Sequence, residues 1–232
     1  EYGTSQFRAF NDILYRYRMQ QDEINLSSTD ILDQPDFLDR YILGTVYFAM
    51  NGDRWERNDK WLTPFILCTW FGVDCSTEFF VCDYDISPCG RVLTELDLRD
   101  NKGDGTLPEE LGYLSTLTYL DVSVNSLHGS IGSEIGQLTD LEYLYLNNNV
   151  FTGSIPSEIG LLTKLTRLYL HNNMLSGAIP NELDQLTNLK NLYLENNNLS
   201  GTILSALCTN SMELLFLDCP QFEGCACCVD EC

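Results

Sequence analysis

Residues 93 to 208 repeat themselves every 24 positions, and this period limits the fold more than any other feature of the chain. One column of the repeat is Asn101, Asn125, Asn149, Asn173 and Asn197. Four residues later stand Gly105, Gly129, Gly153, Gly177 and Gly201. Ahead of each asparagine runs L-x-x-L-x-L: Leu93, Leu96, Leu98; Leu117, Leu120, Val122; Leu141, Leu144, Leu146; Leu165, Leu168, Leu170; Leu189, Leu192, Leu194. Spacing by two means a short strand with its leucines facing one side. A unit of 24 residues cannot bury such a stripe alone, so units must stack, each strand a rung of one parallel sheet and each return segment on the far side. The asparagine amide is then expected to bond backbone groups in the turn leaving each strand.

These columns resemble leucine-rich repeats, and "NNNVFTGSIPSEIGLLTKL" is similar to the plant-type repeat, in which the G-x-I-P step adds a second short strand. The resemblance implies an α/β repeat fold: a right-handed leucine-rich-repeat solenoid with a parallel concave β-sheet, a helical N-terminal cap and a disulfide-stapled C-terminal cap. Two departures stand out. Gly103 replaces the leucine found two residues after the other asparagines, which thins the core there, and the proline of Pro108, Pro156 and Pro180 becomes Gly132 and Leu204 elsewhere.

A stack leaves raw apolar faces and strand edges at both ends, which must be covered. We expect residues 1–92 to form the N-terminal cap, 93–208 the five repeats, and 209–232 a degenerate last rung with the C-terminal cap. "WLTPFILCTWFGVDC" resembles the N-terminal cap of plant-type repeats through Cys68-x-Trp70-x-Gly72-Val73-x-Cys75, which implies a Cys68–Cys75 disulfide; a Cys82–Cys89 pair is our expectation beside it. "NGDRWERNDKWL" looks more like the cap of algal, diatom-like repeat proteins. Phe7, Phe10, Leu14 and Tyr17 predict an amphipathic helix, and a second one after Asp36 carries Leu38, Tyr41, Ile42, Val46 and Phe48 onto the first repeat. Leu214, Leu217 and Cys219 read as the last rung, set one residue late.

All ten cysteines flank the repeats: Cys68, Cys75, Cys82 and Cys89 before, Cys208, Cys219, Cys225, Cys227, Cys228 and Cys232 after. That placement argues for disulfides formed in an oxidising compartment. The alternative for "CACCVDEC" is a soft-metal thiolate site, which the lack of a nearby histidine disfavours. Sequons at Asn25 and Asn198 mark glycosylation candidates and agree with an extracellular or cell-surface location. With 34 acidic against 13 basic residues, a net charge of −21 repels nucleic acid and anionic membrane. The apolar run from Tyr41 to Met50 is about half of the roughly 20 residues a membrane span needs, and a signal peptide or anchor of the full-length protein would lie outside a chain starting at Glu1.

Inward leucines leave alternate residues facing out of the sheet. Three outward columns result: Glu95, Tyr119, Tyr143, Arg167, Asn191; Asp97, Asp121, Tyr145, Tyr169, Tyr193; and Arg99, Ser123, Asn147, His171, Glu195. Five of the 12 tyrosines fall here, with Tyr145, Tyr169 and Tyr193 as a ladder. Tyrosine offers large, stiff, amphipathic contact area, so this face is the candidate ligand surface, although stacked rings also stabilise a sheet without any ligand. Acidic Glu95, Asp97 and Asp121 gather at one end and Arg167, Lys190 and His171 further along, which fits a partner with a basic end and an apolar middle.

Catalysis finds little support. His171 and His128, the latter placed in the turn before Gly129, have no nucleophile motif beside them, and "DYDIS" at 83–87 is only a fragment of a calcium loop. No catalytic residue, metal or cofactor is expected. The resemblance to short plant receptor and co-receptor ectodomains implies recognition of a protein or peptide ligand, another ectodomain included. The alternatives are a secreted inhibitor of an extracellular enzyme and a structural or adhesive surface protein.

Overall fold

Every leucine of the five L-x-x-L-x-L patterns, with Val122, is at most 1% exposed, so the period of two does place one continuous core behind a sheet. The computed structural model describes residues 37–59, 61–62, 68, 70–75, 92–202, 212–218 and 222–223. The helix expected near Phe7, the sequon at Asn25, the "DYDIS" loop, Cys82, Cys89 and the six C-terminal cysteines lie outside those residues.

The described elements are helix α1 (Phe37–Ala49) and strands β1 (Val73–Cys75), β2 (Leu93–Asp97), β3 (Asp104–Gly105), β4 (Tyr119–Asp121), β5 (Ser126–Ser130), β6 (Tyr143–Tyr145) and β7 (Val150–Gly153), then β8 (Arg167–Tyr169), β9 (Met174–Ala178), β10 (Asn191–Tyr193), β11 (Asn198–Thr202), β12 (Leu214–Phe216) and β13 (Phe222–Glu223). The even strands, with β1 at their edge, form a seven-stranded sheet, and the odd strands from β3 to β13 form a six-stranded one. From β2 to β10 the first sheet is parallel with residues 24 apart in register, Leu120 beside Leu144 and Leu144 beside Leu168. The second sheet is the extra strand of each repeat, and the Ile-Pro step that follows feeds a 3-10 turn such as Ser157–Leu161.

The asparagine column joins rung to rung. Asn149 Oδ1 accepts from Leu127 N at 2.9 Å, while its Nδ2 donates to the carbonyls of Val122 at 3.0 Å, Leu146 at 3.2 Å and Asn147 at 3.3 Å. Asn125, Asn173 and Asn197 repeat this, and Asn101 turns the same atoms on the cap, bonding Arg57 N and O at 2.7 and 2.9 Å. The turn itself needs a left-handed residue just before each asparagine, supplied by Asp100, Val124, Asn148, Asn172 and Asn196 at φ between 47° and 57°. Asparagine and aspartate tolerate this conformation, whereas a β-branched side chain such as that of Val124 adopts it only at a cost. Val124 is half exposed, so Val124→Asn should lose little burial and raise stability by about 1 kcal/mol, read as a higher urea midpoint at unchanged slope. A lower midpoint would show that the valine is held there by packing.

Helix α1 covers the first rung with Ile42, Leu43, Val46, Tyr47 and Met50, all buried, while Tyr41 and Phe48 are half-buried. Leu38, expected on this face, is 56% exposed: the buried stripe begins one turn later, at Ile42. The helix ends against the second sheet. Ala49 O accepts from Thr106 N and Met50 O from Asp104 N, both at 3.1 Å, so helix-terminal carbonyls occupy the open edge of β3. Glycine is required there, because a Cβ on Gly105 would strike the Ala49 carbonyl oxygen. The rung thinned by Gly103 is thus the rung on which the cap docks.

Behind α1, Trp61 packs between Trp55 and Trp70 with ring centroids 5.0 and 5.3 Å apart, and Tyr47 stacks on it at 5.8 Å. The Cys68–Cys75 disulfide is present, and β1, which it closes, runs antiparallel on β2 with Val73 beside Leu96, sealing the first edge of the main sheet. At the other end the register departs from expectation. Leu215 pairs with Leu192 and Phe216 with Tyr193, so the last rung is one residue early, with Met212, Leu215 and Leu217 packed on the core and Leu214 44% exposed. Asp218 Oδ2 accepts from Asn197 N at 3.2 Å there, doing what an asparagine Oδ1 does for Asn101 N one end away.

Candidate functional site

The outer face of the seven-stranded sheet brings the expected columns together. Tyr119, Tyr143 and Arg167 stand in register on β4, β6 and β8, as do Asp97, Asp121, Tyr145, Tyr169 and Tyr193 on β2 to β10. Arg99, Ser123, Asn147, His171 and Glu195 follow the strands. His128 lies apart from them: it sits in strand β5 of the second sheet rather than in a turn.

Outward placement does not mean free surface at every position. Asp121 is 4% exposed because Tyr119 Oη donates to its Oδ2 at 3.1 Å and Ser123 N to its Oδ1 at 2.8 Å. Asn147, Ser123 and Asn191, read from sequence as outward contacts, are buried. Asp97 is half-buried and paired to Arg99 Nε at 3.5 Å, and Glu95 is exposed. The acidic end is therefore largely satisfied within the chain.

The rings form a continuous row. Tyr145, Tyr169 and Tyr193 follow one another at centroid distances of 4.8 and 4.4 Å, tilted as aromatic pairs prefer, and Phe216 continues the row at 4.6 Å. Tyr119 and Tyr143 flank Tyr145 at 5.6 and 6.5 Å. Arg167 lies over the Tyr143 ring at 5.4 Å and donates from Nη1 to Tyr145 Oη at 3.4 Å. His171 touches both Tyr169 and Tyr193, at 6.0 and 5.6 Å. Phe216 is the residue that sequence reading missed, and Leu214, read as an inward residue of the last rung, is exposed beside it. The L-x-x-L-x-L template placed Leu217 where Leu215 belongs, and only the spacing Met212, Leu215, Leu217 at 23 residues from Leu189, Leu192, Leu194 could have found the true phase.

Burial shifts the titratable groups of this face. It raises Tyr119 well above its ordinary 10.0, with the charges of Asp121 and Asp97 adding to the effect, and raises Tyr145 and Tyr169 as well, Arg167 opposing. Asp97 is pushed up by burial against the pull of Arg99, and His171 is pushed down by burial against Glu195. A phenol whose folded pKa exceeds its unfolded value contributes stability that is complete below the unfolded value of 10.0 and is lost as pH rises through the folded one. Urea midpoints followed from about pH 9 to 11 should therefore fall less steeply for Tyr119→Phe than for the parent chain. Parallel slopes would show that other groups carry the alkaline loss.

Among the described residues no group of three or more His, Cys, Asp or Glu side chains is placed to hold a metal ion, and no described helix is long and apolar enough to cross a membrane.

A search of curated proteins gives no match. Among solved structures, the chain is 33% identical to one in the BIR3–SERK2 complex from Arabidopsis thaliana, over 71% of this chain and 84% of that chain, with a TM-score of 0.55. It is 29% identical to the leucine-rich repeat ectodomain of the receptor kinase SOBIR1 from Arabidopsis thaliana, over 76% and 88%, at 0.63. It is 30% identical to the BIR2 ectodomain from Arabidopsis thaliana, over 68% and 82%, at 0.56. Residues 91–219, more than half of the chain, match the leucine-rich repeat region, and the protein belongs to the leucine-rich repeat family.

Proposed function

We propose that the chain is an extracellular recognition module, the ligand-binding ectodomain of a cell-surface receptor or co-receptor, and that it binds a protein or peptide through the outer face of its seven-stranded sheet. The observation that carries this reading is the row of four rings from Tyr145 to Phe216, a platform of rigid amphipathic surface. The similar chains support it: one comes from a complex of two proteins, BIR3 with SERK2, and another is a receptor-kinase ectodomain. The Cys68–Cys75 disulfide and the exposed sequon residue Asn198 support an oxidising, secretory location.

The test is a double variant, Tyr145→Ala with Tyr169→Ala, assayed against partners captured from the cell surface by the intact chain. Binding should be lost, while the ring pairs removed lower stability by only about 1–2 kcal/mol. Retained binding together with a large fall in melting temperature would assign the row to sheet stability instead.

A further inference from the structure

The two halves of the aromatic row differ in what already covers them. On the N-terminal side the chain's own cation is in place, with Arg167 over Tyr143 and bonded to Tyr145. On the C-terminal side no described cation lies over Tyr169, Tyr193 or Phe216. Beside those rings stands Glu195, half-buried, with no ion pair among the described residues, whereas Asp97, Asp140 and Glu213 each have a cation at 3.5, 2.6 and 3.3 Å. Glu195 Oε2 is buried without a hydrogen-bond partner, and so is Nδ1 of His171 on the preceding rung. A buried carboxylate oxygen left without a hydrogen-bond donor is unfavourable, and an incoming cation would relieve it. The rings of Tyr169 and Tyr193 border the same place, with His171 touching both, while the face of Tyr193 is stacked on Phe216. Next to them Phe216 and Leu214 are 42% and 44% exposed, an apolar edge where the row ends.

We infer that this C-terminal half receives a basic side chain, arginine or lysine, of a peptide segment in the partner, with an apolar residue of the same segment seated on Phe216 and Leu214. The inference rests on the recognition role proposed above and adds the partner's chemistry. The cation faces Glu195 at the edges of Tyr169 and Tyr193. Arg167, over the Tyr143 ring with Tyr145 Oη of the same rung as that ring at 3.4 Å, shows within the chain that this face accepts a guanidinium. A net charge of −21 draws such a segment in from a distance.

A display library of random linear peptides, selected on the intact chain at low salt, tests this. Enriched sequences should place arginine or lysine next to an aromatic or aliphatic residue. A synthetic peptide of such a sequence should bind Glu195→Gln and Phe216→Ala about ten-fold or more weakly than the parent and weaken with added salt, with thermal melts confirming that both variants fold. Enriched peptides without a basic residue overturn the inference. So do peptides that bind Glu195→Gln as well as the parent yet fail on the Tyr145→Ala, Tyr169→Ala chain, although that result keeps the outer face as a recognition surface. Failure to enrich any peptide, or peptides indifferent to every substitution on this face, overturns the inference, while the recognition role stands or falls with the Tyr145→Ala, Tyr169→Ala chain and captured cell-surface partners.

Discussion

Asn149→Ala should destabilise the chain by about 3–4 kcal/mol, far more than an ordinary buried polar substitution, because one of the bonds it removes has no substitute. The three carbonyls that Asn149 Nδ2 reaches each keep another donor: Val122 O from Asn125 Nδ2 at 3.0 Å, Leu146 O from Asn173 Nδ2 at 3.0 Å, and Asn147 O from Val124 N at 3.1 Å. The acceptor end has no such redundancy. Leu127 N donates to Asn149 Oδ1 at 2.9 Å inside the core, and without it a buried N–H is orphaned. Asn149→Asp keeps an acceptor but sets a carboxylate among three carbonyl oxygens, and should be no better tolerated. The control is Asn148→Gly one residue away, at φ 55° and half-buried, which glycine accepts with little loss. Urea melts of the three variants settle the point, and equal midpoints for Asn149→Ala and Asn148→Gly would refute the ladder's energetic role.

The second large effect lies in the cap. Gly72 has φ 74° and its carbonyl accepts from Asp97 N at 2.7 Å, so β1 turns into the edge of the sheet at this residue. A Cβ here would run into the Asp97 carbonyl oxygen, a backbone atom that cannot rotate away. Gly72→Ala should cost about 3–5 kcal/mol, combining left-handed strain with displacement of β1. The disulfide from Cys68 to Cys75 would still close its loop, so the cap would stay tethered but unpinned. Hydrogen exchange at the Asp97 amide reads this directly and should accelerate with the fall in melting temperature. A protected amide with unchanged melting would show that the edge can move to make room.

Why some of this was readable from the letters and some was not follows from how locally each property is decided. A residue's side of the strand depends only on its parity in the repeat, and Leu144, Tyr145 and Leu146 fall where parity puts them. Exposure depends on the neighbouring rungs. Asp121 faces out by parity, but Tyr119 and Ser123 bond to it and it is buried, and Asn147, outward by the same parity, is buried too. Phase at the ends depends on a single missing residue: between Leu192 and Leu215 the spacing drops to 23, and the shift moved Phe216 from unremarked to the end of the aromatic row. The docking of Ala49 and Met50 onto β3 joins residues about 55 apart through backbone atoms alone, so no side-chain pattern announced it.

The reach of the asparagine amides also bears on how a protein of this kind can change in length. Asn149 bonds a carbonyl 27 residues behind it and an amide 22 behind, and Asn173 makes the same two spans. Removal of a whole unit brings an identical set of donors and acceptors back into phase, whereas removal of any fraction leaves every later amide facing the wrong atoms. Growth and shrinkage of the stack are therefore quantised: such a chain can become longer or shorter by copying or dropping entire rungs, while smaller changes in length are tolerated only where the ladder stops, as the 23-residue step to Leu215 and the switch to Asp218 illustrate.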